Sequence, residues 1–219
     1  MNTDFDDGAP CRIAVGLEYD GTLYRGWQLQ PDAPSIQGSL NAAFSSVANQ
    51  VVESIGAGRT DAGVHASGQV AHIDTSAARG NHSWLLGVNT QLADDINLLW
   101  VQCVSPKFHA RYSAVSRGYR YTILNRPVRS ALERNQVWWV HQPIDHERMQ
   151  NAARYLVGEH DFSAFRAAAC QAHSPIRTIS ELTVTRTGDH ISIYCQNHLI
   201  PHLEYLFHLE LLDQYLKDI

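Results

Sequence analysis

The sequence contains no Cys-x-x-Cys pair, no Gly-x-Ser-x-Gly elbow, and no glycine spacing of the P-loop or dinucleotide type. These absences argue against a zinc ribbon, a nucleophile-elbow hydrolase and the common phosphate-cradling loops. A Ser-His-Asp triad assembled from distant residues stays open. The four cysteines, Cys11, Cys103, Cys170 and Cys195, are widely separated, so no disulfide framework is expected in a chain of 219 residues. No apolar run reaches membrane-spanning length. The first ten residues, MNTDFDDGAP, are acidic and polar rather than a signal peptide. They read as a short frayed tail on a soluble, reduced, cytoplasmic protein. No repeat and no low-complexity linker divides the chain.

Lysine is scarce, because fifteen of the seventeen cationic residues are Arg. Arg favours planar, bidentate contacts with phosphate and stacks on bases. The net charge of −5 argues mildly against a nucleic-acid partner, but the distribution does not. Between Lys107 and Arg134 seven cations stand against one acid, Glu133. Such a window suits a polyanion, although a solvated charged face has the same appearance.

With 44% hydrophobic residues the chain can build one or two cores. Ile13, Val15, Leu17 and Tyr19 alternate as in a half-buried strand that Asp20-Gly21-Thr22 ends. Ser35 is placed to cap a helix carrying Ile36, Leu40, Phe44 and Val47. Strands are expected over 51–55, 69–75, 96–104 and 119–124, and a helix over 83–92. Asp145 is placed to cap a helix with Met149, Ala152, Ala153 and Leu156, which Gly158 stops. Residues 181–186 and 191–195 read as a strand pair turning at Gly188-Asp189. Without strict βαβ alternation, the expected class is α+β with a mainly antiparallel sheet.

One stretch stands apart: GAGRTDAGVHASGQVAHIDT, from Gly56 to Thr75. Its single Asp61 lies between Arg-Thr and Ala-Gly in a glycine-rich setting. An Asp there can serve only to turn the chain. Asp61, His65, His72 and Asp74 lack His-x-x-x-His spacing, which speaks against a metal site in this stretch. A carboxylate beside a cation such as Arg59 stays ionised and suits a nucleophile or an electrostatic stabiliser. Carboxylates act in this way at sugar anomeric carbons. Together with the Arg-rich window and an aromatic strand, this makes a nucleoside within RNA a reasonable substrate.

The stretch resembles the signature of the tRNA pseudouridine synthase A family. LEYDGTLYRGWQLQ, FHARYSAVSRGYRYTI and GEHDFSAF resemble further stretches of that family in the same order. The resemblance runs from about Ile13 to Ile193. It implies isomerisation of uridine to pseudouridine in the tRNA anticodon arm (uridines 38, 39 and 40), without cofactor or metal. It makes Asp61 the catalytic residue, attacking either C1′ of the ribose or C6 of the uracil. Arg59 would pair with Asp61, and Tyr119 would stack on the base and take part in removing the C5 proton. Arg111, Arg117 and Arg120 become candidates for phosphate contacts, and His65 braces the loop. The resemblance also implies a homodimer, and two similar α+β halves around a central RNA-binding cleft. The expected division is a tail over 1–10, one half over 11–112 carrying Asp61, and a second over 113–219.

The likeness to the family fades after Gln196. The family continues there with an arginine returning to the active site, and no Arg follows Arg186 in this sequence. Leu199, Leu203, Leu206, Leu211 and Tyr215 fit an apolar helical face, interrupted by Pro201. The chain also ends early for the family, through a frameshift, an early stop or divergence. The alternative expectation is a catalytically impaired tRNA-binding remnant.

Overall fold

The structure is a computed structural model and describes residues 11–165 and 174–198. The expectations for residues 1–10 and for the apolar tail from Leu199 lie outside that range. The chain falls into two units, Met1–Ala114 and Val115–Ile219.

The first unit runs β1 (Cys11–Tyr19), α1 (Ile36–Ala48), β2 (Ser54–Gly56), β3 (Ala66–Thr75), α2 (Asn81–Asn89) and β4 (Ile96–Val104). The sheet order is β2-β3-β1-β4, and every pairing is antiparallel. The alternation expected of β1 holds: Ile13, Val15, Leu17 and Tyr19 share one core with Phe44 and Trp84. Ser35 caps α1 by accepting from the Gly38 amide at 3.2 Å. Ile36, Leu40 and Phe44 are buried, Val47 is half-buried, and Asn49 ends the helix in the left-handed region at φ 54°. Phe44 and Trp84 meet at 5.7 Å between ring centroids. Each fully buried side chain of this size contributes about 1.5–3 kcal/mol.

The opposite face of β1 carries small residues for a steric reason. Gly16 lies opposite Trp100 of β4, and a Cβ on Gly16 would fall 2.0 Å from the indole nitrogen. Further along, the segment after β4 is laid back over β1 and β3. Arg12 grips Asp74 with both Nε and Nη2, at 2.7 and 2.6 Å. Its Nη1 donates to the carbonyls of Pro106 and Phe108, at 2.9 and 2.7 Å. The ring of His72, 2% exposed, accepts from the Ala110 amide at 3.2 Å and donates to the Ile55 carbonyl. Burial, then the nearby Arg12 and His109, hold the His72 pKa below its ordinary value, with Asp74 opposing.

Cys11 and Cys103, 92 positions apart, are paired across β1 and β4. This corrects the expectation that the cysteines are too scattered to pair: antiparallel register brings together what spacing separates.

The second unit runs β5 (Ser116–Asn125), β6 (Trp138–Val140), α3 (His146–Ala153), β7 (Gly158–Asp161), β8 (Ile176–Thr187) and β9 (His190–His198). The order is β6-β5-β9-β8-β7, antiparallel except for β5 with β6. Asp145 caps α3, accepting from the amides of Glu147 and Arg148 at 3.1 Å each. Met149 and Ala153 pack with Ile123, Val184, Ile191 and Ile193. Asn125, 8% exposed, donates to the carbonyls of Val140 and Gln142 and accepts from Ile144 N–H and Arg186. Gly188, at φ 59°, makes the expected β8–β9 turn.

Three details differ from the sequence reading. β6 was not expected, since three residues carry no legible period. Gly158 begins β7 at φ 112°, while the helix has already ended at Ala153. β2 sits later than 51–55, because Val51 is exposed and pairing begins at Ser54.

The buried neutral His72 should make the first unit acid-sensitive. An unfolded histidine takes up a proton below pH about 6.5. The folded ring resists protonation, so stability should fall as pH drops through that value, until the folded ring itself protonates. Urea unfolding of the wild type between pH 7 and 5 should show this loss. His72→Gln removes the titrating ring and should flatten the slope there. An equally steep slope in the variant would assign the acid sensitivity to other groups.

Candidate active site

Asp61 sits in the loop joining β2 to β3, residues 57–65, and other segments of the first unit fix that loop from end to end. At its entrance the Ala57 amide donates to Val70 at 2.7 Å, and Gln69 Nε2 donates to the Gly58 carbonyl at 2.9 Å. At the centre the Trp27 amide donates to the Thr60 carbonyl at 2.9 Å. The hydroxyls of Tyr19 and Thr60 are hydrogen-bonded at 2.9 Å. Beyond Asp61, Val64 N–H donates to the Asp61 carbonyl and Gly63 N–H to that of Tyr24, both at 3.2 Å. Gly63 has φ 79°, which suits the turn to glycine.

The bracing segment is the one between β1 and α1. Gly26 has φ 89°, and a Cβ there would lie 2.4 Å from the Thr60 carbonyl oxygen and 3.1 Å from the Asp61 carbonyl carbon. Gly21 approaches the Val64 carbonyl as closely, since its Cβ would fall at 2.0 Å. Trp27, 2% exposed, lies against Gly56 and near Tyr19, with ring centroids 6.4 Å apart in the second case. Tyr24 donates its hydroxyl to Asp95 at 2.6 Å, and burial followed by that carboxylate pushes the phenol up to about 12. Asp20 accepts from the amide and hydroxyl of Thr22, and stands 3.0 Å from His65 Nδ1. The Thr22 hydrogen bonds, more than His65, hold the Asp20 carboxyl below its ordinary range.

His65 thus touches Asp20 and the neighbouring Gly21 amide, and braces the loop as the sequence reading expected. The residues that sequence reasoning passed over are Tyr19, Gly21, Tyr24, Gly26 and Trp27. Their signal was the stretch LEYDGTLYRGWQLQ, which carries all five.

Asp61 is half-buried and Arg59 is exposed. Arg111 belongs to the same unit, on the loop after β4. Tyr119, Arg117 and Arg120 belong to the second unit, on β5. Strand alternation puts half-buried Arg117 and Tyr119 on one face and exposed Arg120 on the other. Arg120 shares its face with Tyr194, which packs over Gly118. Arg126 is 3.8 Å from Asp189. Within β5 the cations are therefore divided between two faces. Opposite Tyr119 lies Cys195, whose thiol burial raises to about 11, so it is an inert core group. Among the described residues no cluster of three His, Cys, Asp or Glu is placed to hold a metal, and no helix is long and apolar enough to cross a membrane.

The family described as tRNA pseudouridine synthase matches residues 17–113 and 152–200. A tRNA pseudouridine synthase A of Methylococcus capsulatus is 54% identical over 180 residues, covering 82% of this chain and 66% of the relative. One of Nitrosococcus oceani is 52% identical, with 83% and 70% covered. One of Coxiella burnetii is 47% identical, with 88% and 74% covered. The matched region thus spans between about two thirds and three quarters of these relatives. The class is that of RNA-modifying isomerases with an α+β fold. The chain belongs to the tRNA pseudouridine synthase family.

The clamp yields a direct test. Gly26→Ala places a methyl against the Thr60 carbonyl in a backbone conformation that alanine resists. The loop must shift, and a displacement on the order of 1 Å near a reacting group costs roughly a hundredfold in rate. Pseudouridine formation should fall by about that factor while circular dichroism stays close to wild type. Undiminished turnover would show that the contact does not position Asp61.

Proposed function

We propose that this chain isomerises uridine to pseudouridine in the anticodon arm of tRNA, at positions 38, 39 and 40, with Asp61 as nucleophile. The observation that carries the reading is the loop itself: several independent contacts fix the backbone on both sides of one half-buried carboxylate. A loop that only turned the chain would not need a glycine α-carbon in contact with the peptides of Thr60 and Asp61.

In this reading the target base is drawn out of its stack, at a cost of a few kcal/mol. The Asp61 carboxylate attacks C1′ or C6, and the bond between N1 and C1′ breaks. The uracil turns and C5 bonds to C1′; the bond to Asp61 is released, from C1′ as C5 displaces the carboxylate or from C6 by elimination, and the C5 proton is removed while N1 acquires one. The product is an isomer of the substrate, so the sequence of steps consumes no cofactor. Tyr119 offers its ring to the base and its hydroxyl to the proton transfer. Exposed Arg59 faces the phosphates near the target nucleotide. Arg111 and one of the two β5 arginines make further phosphate contacts. The family resemblance alone supports a homodimer and a cytoplasmic setting. A monomer mass by sedimentation equilibrium at working concentration would remove the dimer from the reading.

Asp61→Asn preserves size and removes the nucleophile. The variant should keep the wild-type melting temperature and tRNA affinity, while pseudouridine falls to background. A variant that still converted tRNA at a comparable rate would overturn the assignment. Salt dependence separates the arginines. Each lost phosphate contact flattens the plot of log K against log salt by about one unit. Arg117 and Arg120 lie on opposite faces of β5, so only one of the alanine variants should flatten it. An unchanged slope in both, and in Arg111→Ala, would leave these arginines as solvated surface.

A further inference from the structure

The loop after β4 carries a feature that the isomerisation does not use. Tyr112 is 75% exposed, yet its ring is not left to wander. The imidazole of His109 lies beside it, with centroids 4.3 Å apart and planes tilted by 33°. His109 Nδ1 accepts from the backbone amides of both Arg111 and Tyr112, at 3.2 and 3.3 Å. The His109 amide donates to Ser113 Oγ at 3.0 Å, and the Ser113 amide returns to the His109 carbonyl at 2.7 Å. The Arg111 guanidinium carbon is 5.8 Å from the Tyr112 ring centroid.

This small turn is bolted to the sheet beneath it. Buried His72 holds the Ala110 amide and contacts His109 ring to ring at 4.7 Å. Arg12 holds the Pro106 and Phe108 carbonyls. The acid in this network, Asp74, is engaged by the Arg12 fork, and residues 105–115 contain no acid at all. Lys107 and Arg111 therefore act on whatever approaches Tyr112 without an opposing carboxylate on that segment. An aromatic ring fixed from below, open above and flanked by cations is the arrangement that receives an unstacked nucleobase together with its phosphate.

We propose that Tyr112, held by His109 and partnered by Arg111, is a stacking platform for an unpaired base of the RNA. It is separate from the loop that carries Asp61. The inference rests on the reading of the chain as a tRNA-binding enzyme. The platform contributes affinity and placement. It touches no reacting atom, so its loss should appear in KM and not in kcat.

The test uses the full chain, with substrate tRNA and a single-stranded oligouridylate as probes. Tyr112→Ala should weaken binding of both by roughly five- to a hundredfold, the range measured for base–aromatic stacking. It should raise KM and leave kcat unchanged at saturating tRNA. Tyr112→Phe keeps the ring and should restore wild-type affinity. Because Tyr112 is mostly exposed, melting temperatures of both variants should match the wild type. Wild-type affinity for both RNAs in Tyr112→Ala would overturn the platform and leave the enzymatic reading intact. A wild-type chain that bound neither RNA would overturn both. A loss of affinity that Tyr112→Phe shared would mean that the hydroxyl matters rather than the stacking face, and would also overturn it.

Discussion

The hydrogen bond from the Trp27 amide to the Thr60 carbonyl, with Gly26 pressed beside it, is the contact on which the candidate site depends. Asp61 follows Thr60 directly, so the peptide that carries the carboxylate is fixed from outside its own loop. A loop of nine residues between two paired strands would otherwise sample many conformations. Fixing each residue costs roughly 1–2 kcal/mol of backbone entropy. Here the cost is met by the fold of the first unit. Trp27 is buried in the main core, and Tyr19 is the last residue of the central strand. Asp61 is thereby linked to the same hydrophobic cluster that holds α1 and α2.

The two faces of β1 divide the labour. The face with Ile13, Val15, Leu17 and Tyr19 makes the core. The other face is kept low by Ala14 and Gly16, so that Trp100 and the loop after β4 can lie across it. Buried His72 is the polar anchor in that second layer, satisfied on both sides by backbone groups. A buried polar group with both partners in place specifies one arrangement, because any alternative would leave it unsatisfied.

Much of this was legible in the sequence, and the parts that were not share a cause. The alternation of β1, the Ser35 and Asp145 caps, and the Gly188 turn are local signals, readable within a few residues. The loop around Asp61 stood out as a distinct stretch because it is contiguous. The clamp did not, because Gly21 and Gly26 meet Val64 and Thr60 only after α1 and β2 have returned the chain. The pairing of Cys11 with Cys103 has the same character. A count of cations along the chain is blind in another way: it ignores the alternation that sends Arg117 and Arg120 to different faces of β5. β6 is held by parallel pairing to β5 and by the carbonyls that Asn125 gathers, and a three-residue strand has no period to read.

The position of β1 sets the order in which this protein can form as it is made. Among the described residues β1 comes first in the first unit, and it lies inside its sheet, with β3 on one side and β4 on the other. Arg12 meets its partner Asp74 only 62 positions later. At a synthesis rate of about 5–20 residues per second, that wait is roughly three to twelve seconds. Through that interval an apolar strand with two open edges has emerged without its neighbours, which is the state that chaperones engage at the ribosome exit. Among the described residues, α1 is the longest element to form before β3 arrives, and, locally capped, it can cover one face early.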